Sequence, residues 1–272
     1  MVRFVIAPQW QGSPSTRAMM LVDGAQAIAG DLPRAACITL DLPLEAGETL
    51  ETGVRRYSAL SRIRARLDET LAGRSDPVIV IGGDCAVSVP AIGAVAARTP
   101  GLAVVWLDAH PDLHTHETSP SGAFAGMALA AALGDGPDGL SLSPGAILPS
   151  RVVLAGTRAY DDAEKVRAAG LAARLTAAGL ADPTALAEAV AATGADAVFV
   201  HVDLDVLDPA ALGGVTSPVP FGVDVPQLVA ALQHLRAALP LAGAAITGFA
   251  PASPAAAVDD LGAILRVVGA LA

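Results

Sequence analysis

With 272 residues, 53% of them hydrophobic, and a formal net charge of −10 at pH 7, the chain suits one large α/β domain spanning residues 1–272. The acidic balance, with no basic stripe interleaved with aromatics, argues against nucleic acid as a partner, and no apolar run reaches the length of a membrane span. Two cysteines, Cys37 and Cys85, are too few for a disulfide scaffold, and Pro8 interrupts the N-terminus too early for a secretory signal, so a cytoplasmic setting is expected.

In chain order, apolar runs of strand length occur at 2–7, 36–40, 78–81, 102–107, 151–155, 197–202 and 244–249. Segments of helical composition lie between and after them, at 16–29, 54–71, 86–97, 122–133, 161–169, 183–193, 225–239 and 254–270. Strand alternating with helix predicts a mainly parallel sheet covered on both faces, a three-layer αβα sandwich. Most of the strands are near-continuous apolar runs, as burial on both faces requires. The Gly/Pro/Ser-rich stretches at 134–149 and 209–222 are expected at the sheet rim. In such sheets ligands sit beyond the carboxyl ends of the strands.

Two of those ends are acidic. The run 102–107 leads into Asp108-Ala109-His110-Pro111-Asp112, and 197–202 leads into Asp203-Leu204-Asp205-Val206-Leu207-Asp208-Pro209. Alternation along a strand lets Asp108, His110 and Asp112 share one side, and likewise Asp203 and Asp205. If the two strands are neighbours, four carboxylates and an imidazole converge, and such a group stays ionised only around cations. A binuclear metal centre is the simplest reading. Asp208, before Pro209, reads as a turn residue. A third strand end carries Gly82-Gly83-Asp84-Cys85, where the glycines allow a tight turn. The one Gly-x-Gly-x-x-Gly match, Gly134 to Gly139, follows a helical segment, which argues against a dinucleotide fold; no Gly-x-Ser-x-Gly elbow is present.

In order and spacing these three motifs resemble the arginase/agmatinase (ureohydrolase) family, over roughly residues 78–254. The resemblance implies an arginase-like fold, two Mn²⁺ ions, and hydrolysis of a C–N bond in a linear amidine or guanidino compound by a homo-oligomer, trimeric or hexameric. It makes Asp108 and Asp203 bridging ligands, with Asp112 completing one metal and His110 with Asp205 the other. The family has histidine where Cys85 stands. A thiolate is softer than imidazole and prefers zinc or iron–sulfur chemistry to manganese. A cysteine-ligated ion, a half-occupied centre and a cysteine that merely packs all remain open. Cysteine at this point, and the segment 117–127, are closest to the N-omega-hydroxyarginine amidinohydrolase-like branch.

Other positions depart further. Ala125 stands where arginases have a proton-shuttling histidine; His114 or His116 is a possible substitute, the alternative being solvated loop histidines. His114 also falls where the family contacts the substrate carboxylate. Pro251 stands at or near a family glutamate beside the substrate's guanidinium, so a neutral or hydroxylated amidine fits better than arginine. Ser121 matches a family serine binding the α-carboxylate, against helix capping. Asp161 matches the contact to the α-amino group, against an ordinary helix cap. Asp205 and His114 are the candidates for moving protons. Arg158 is expected in a structural ion pair, His201 as a satisfied core histidine, Cys37 in the core, His234 exposed, and Asp224 as a helix cap. The rival to an enzyme is a pseudoenzyme of arginase-like fold with an impaired metal centre, kept for binding or assembly.

Overall fold

Eight short parallel strands, most of them apolar, define the molecule in a computed structural model that describes residues 2–272. The chain order is β1 (Arg3–Ala7), α1 (Met20–Gly30), β2 (Cys37–Thr39), α2 (Tyr57–Leu71), β3 (Val78–Gly82), α3 (Ser88–Ala96), β4 (Leu102–Leu107) and α4 (Ala128–Ala132). It continues with β5 (Val152–Ala155), α5 (Asp162–Ala168), β6 (Ala173–Leu175), α6 (Ala185–Ala191), β7 (Ala197–Asp203), α7 (Val225–Ala238), β8 (Leu241–Thr247) and α8 (Pro254–Leu271). The strands form one sheet in the order β2-β1-β3-β8-β7-β4-β5-β6.

Side-chain alternation divides the core in two. Ile79, Ile81, Val105, Val198, Val200 and Ile246 face α1, α6, α7 and α8. Val78, Val80, Val104, Trp106 and Phe199 face α2, α3 and α4. The three-layer sandwich expected from the strand–helix alternation is the fold observed. β4 and β7 are neighbours, with Trp106 opposite His201 and Leu107 opposite Val202, so the two acidic motifs emerge side by side. β3 and β4, consecutive among the strands, are held apart by β8 and β7. The chain leaves β3 and β4 towards different partners, and a crevice opens where their carboxyl ends diverge.

Three elements differ from the sequence expectation. β6 is a three-residue edge strand with exposed Arg174, too short and too polar to register as an apolar run. β8 begins at Leu241 and ends at Thr247, because Gly248 adopts φ +88°. The helix expected at 122–133 shrinks to α4 behind a 3₁₀ turn, since Gly122 adopts φ +64°. The N-terminal amides of that shorter helix are satisfied by the Asp112 carbonyl, which accepts from Leu129 and Ala130 at 3.0 and 3.1 Å. No helix among the described residues is long and apolar enough to cross a membrane.

Candidate metal centre

Each motif reaches the crevice by a local device. Behind β3, Asp84 caps the turn Cys85–Val87 by accepting from the Ala86 amide at 3.0 Å. It also accepts from the Gly12 amide at 2.8 Å and Gln9 Nε2 at 3.0 Å, tying the N-terminal loop to the site. Burial nevertheless pushes its carboxyl up to about 6. After β4, the Asp108 Oδ1 accepts from the His110 amide at 2.7 Å, and Asp112 takes a left-handed backbone at φ 51°. That conformation is uncommon outside glycine, though aspartate tolerates it better than most residues. After β7, Asp203 Oδ1 accepts from the Asp205 amide at 3.0 Å, and Asp203 Oδ2 accepts from Thr247 at 3.0 Å.

Two groups of donors result. Cys85, Asp108, His201 and Asp203 place one ligand atom each within 4.8 Å of one another, and so do Asp108, His110 and Asp205. Cys85 Sγ lies 3.1 Å from Asp203 Oδ2, and His110 Nδ1 lies 3.0 Å from Asp205 Oδ2. Asp112 lines the same cavity but belongs to neither group, and its Oδ2 is buried without a partner.

Electrostatics shows the strain of this crowding. Burial, then the charge of neighbouring aspartates, raises the carboxyls of Asp112, Asp203 and Asp205. Burial and the charges of Asp112, Asp203 and Asp108 raise the Cys85 thiol well above its ordinary value. Burial works against charge on His110 too, but hydrogen bonds to Asp108 and Asp205 overcome it and push the imidazole up to about 12. Asp108 is lowered instead, because hydrogen bonding and charge from His110 outweigh its burial. Divalent cations would relieve this crowding. Carboxylates, imidazoles and a thiolate around orphaned buried atoms are a donor set that fits divalent ions.

The cavity above, of about 200 Å³, is lined by Cys85, Asp108, His110, Asp112, Asp203 and Asp205 together with Ser13, His114, Ala125, Glu164, Thr216 and Ser217, while His201 lies beneath it. Neither Ser121 nor Asp161 lines it. Ser121 Oγ accepts from the Ala123 amide at 3.2 Å, a local turn contact. Asp161 caps α5 in a reciprocal box with Glu164, and its Oδ2 lies 3.0 Å from His114 Nε2. His114 thus sits inside an acidic pair, with Glu164 Oε2 at 3.7 Å. Nothing in the sequence marks Glu164, which reads there as one more polar residue of a short helix. Pro251 is buried outside the cavity lining, and His116 is exposed.

Two expectations are corrected. Arg158 makes no ion pair among the described residues; its guanidinium donates to the carbonyls of Gly156, Asp205, Val206, Leu207, Val219 and Pro220 at 2.6–3.3 Å. His201 is buried as expected and stacks on Trp106, but only its Nδ1 is satisfied, by Ser88 Oγ at 2.8 Å; its Nε2 has no hydrogen-bond partner. The remaining minor readings hold in part. Asp224 caps α7 in a capping box with Gln227, His234 is exposed, Asp208 closes a turn through Ala210 and Gly222, and Cys37 is only half-buried.

Comparison with known proteins agrees with this geometry. The Arginase family model matches residues 19–265. An arginase of Bacillus caldovelox is 35% identical over 217 residues, which are 73% of this chain and 72% of that one. The solved native structure of the B. caldovelox arginase superposes with a TM-score of 0.83 at 28% identity, over 99% of this chain and 97% of that one. The Entamoeba histolytica arginase, solved with L-ornithine, gives 0.85 at 24% identity over 99% and 97%. The chain belongs to the arginase family.

Proposed function

We propose that the chain is a metal-dependent hydrolase that cleaves a C–N bond of a linear amidine or guanidino compound, with a neutral or hydroxylated amidine preferred over arginine. One observation carries this reading. Asp108, Asp112, Asp203 and Asp205 are all buried around one cavity, with more negative charge than a fold buries without cations.

Cys85, Asp108, His110, Asp112, Asp203 and Asp205 are the residues that would hold two Mn²⁺ ions. Ions held there would supply an activated water and an electrophilic anchor for the substrate. The protein's own groups do the rest. Asp205 is held by the Ala109 amide at 3.0 Å and by His110, which leaves it placed to take a proton from a reacting group. His114 lines the cavity and contacts the half-exposed Asp161, a route for that proton to solvent. Asp161 and Ser121, beyond the cavity lining, would hold the α-amino and α-carboxylate ends of a longer substrate.

The substrate preference follows from what the lining lacks. Ala125 contributes a methyl group where the family places an imidazole, and buried Pro251 cannot pair with a guanidinium. Mn²⁺-dependent release of urea or hydroxyurea from a panel of guanidino compounds and hydroxyguanidines tests the proposal. Turnover is expected to favour the hydroxylated or neutral members. A protein that binds metal yet turns over no member is instead a binding or assembly protein.

A further inference from the structure

We infer that His201 is a metal ligand of this chain, and that Cys85, Asp108, His201 and Asp203 together hold one four-coordinate ion of the zinc type. The inference deepens the proposed metal centre and rests on it, replacing manganese at one of its two positions.

The geometry is specific. Bonds of about 2.0–2.3 Å from a tetrahedral ion to N, O and S donors place those donors about 3.3–3.8 Å apart. Cys85 Sγ to Asp203 Oδ2 is 3.1 Å, His201 Nε2 to Asp108 Oδ2 is 3.6 Å, and Cys85 Sγ to Asp108 Oδ2 is 4.0 Å. The second distance falls in that range, the first is 0.2 Å below it and the third 0.2 Å above it, and all four donor atoms lie within 4.8 Å of one another, so small side-chain shifts would close the shell around an ion. His201 is fully buried at 0% exposure, and its Nε2 is among the few buried side-chain atoms of the described residues without a partner.

The ring is also held as a ligand's ring is held. A metal-binding imidazole normally gives its other nitrogen to an oriented acceptor, which sets the tautomer. Ser88 Oγ stands 2.8 Å from Nδ1, so a proton on Nδ1 leaves the Nε2 lone pair towards Asp108. Trp106, opposite on β4, stacks on the ring at 3.6 Å and fixes its plane. His201 and Asp203 lie on the same face of β7, the face that meets α3, where Ser88 is the first residue.

Chemistry selects the ion. A thiolate with one imidazole and two carboxylates suits zinc better than manganese, which favours all-oxygen or imidazole–oxygen shells of higher coordination. Cys85 therefore does not stand alone. Its thiolate and the His201 imidazole form a pair, and Asp112 is left outside the shell.

X-ray absorption at the zinc edge, on wild-type protein loaded with one equivalent of Zn²⁺, tests this directly. One sulfur at about 2.3 Å with nitrogen and oxygen near 2.0 Å is expected. A sulfur-free, six-coordinate shell overturns the inference. In parallel, His201→Phe keeps a ring on Trp106 but removes the donor. After dialysis against a chelator it should retain Zn²⁺ at least about 100-fold more weakly than wild type, and Ser88→Ala about tenfold more weakly. Manganese bound by His110 and Asp205 should change little in either variant. Equal zinc retention by His201→Phe overturns the inference while leaving the metal centre standing. Wild type that retains neither zinc nor manganese overturns both. Should His201→Phe fail to fold, the absorption spectrum and Ser88→Ala decide the matter.

Discussion

Gly248 illustrates how much of the site rests on single residues. It adopts φ +88°, and a Cβ there would overlap the Asp203 carboxylate. Gly248→Ala should cost about 2 kcal/mol or more from backbone strain and displacement of Asp203. Metal retention should fall with it, read by thermal unfolding with and without added ion. Asp161 allows the opposite kind of test, because asparagine caps a helix as well as aspartate does. Asp161→Asn should leave stability within about 0.5 kcal/mol while raising KM for substrates that carry an α-amino group. An unchanged KM would assign Asp161 to the cap alone. At this scale the aspartates and His110 were legible because short motifs carry them. His201 was not, because one residue inside an apolar strand gives no sign of which of its nitrogens will find a partner.

Among elements, the decisive arrangement is two loops locked together. Arg158, after β5, gathers carbonyls from the Asp205 turn and from the 209–222 excursion, whose Thr216 and Ser217 line the cavity. A planar guanidinium with five donors can serve so many acceptors; an ammonium with three cannot. Arg158→Lys is therefore expected to lose about 2 kcal/mol of stability, measured by denaturant titration. Metal affinity should fall as the Asp205 turn loosens, whereas an ion pair would have tolerated lysine. Strand and helix positions were largely readable from apolar periodicity. β6, the start of β8 and the short α4 were not, since an edge position, glycine dihedrals and a borrowed carbonyl set them.

For the whole molecule the metal-free state has a definite pH signature. Asp112, Asp203 and Asp205 are raised by burial, and His110 is pushed up to about 12, so the folded chain binds more protons at these groups than the unfolded one. Stability from such groups is present below their unfolded pKa values and is lost as pH rises towards the folded ones. The loss begins near pH 4 for the carboxylates and about 6.5 for His110. Asp108, lowered, acts oppositely, but its contribution is complete above about pH 4. In chelator, Tm should therefore fall between about pH 5 and 8. Excess divalent ion should reverse the slope, because binding needs the deprotonated ligands. A chelated protein whose Tm rises over that range would contradict the crowded-carboxylate account.

The sequence by itself determined the αβα class and the placing of two acidic motifs at strand ends, because side-chain periodicity and composition are local properties. It also marked Cys85, Ala125 and Pro251 as departures. Only the tertiary structure decided that β4 and β7 are neighbours, that Asp112 stands apart from the two donor groups, and that His201 faces Asp108 with a free nitrogen. Those are matters of register and of which helix end lies beneath a strand, and they arise from contacts between residues far apart in the chain.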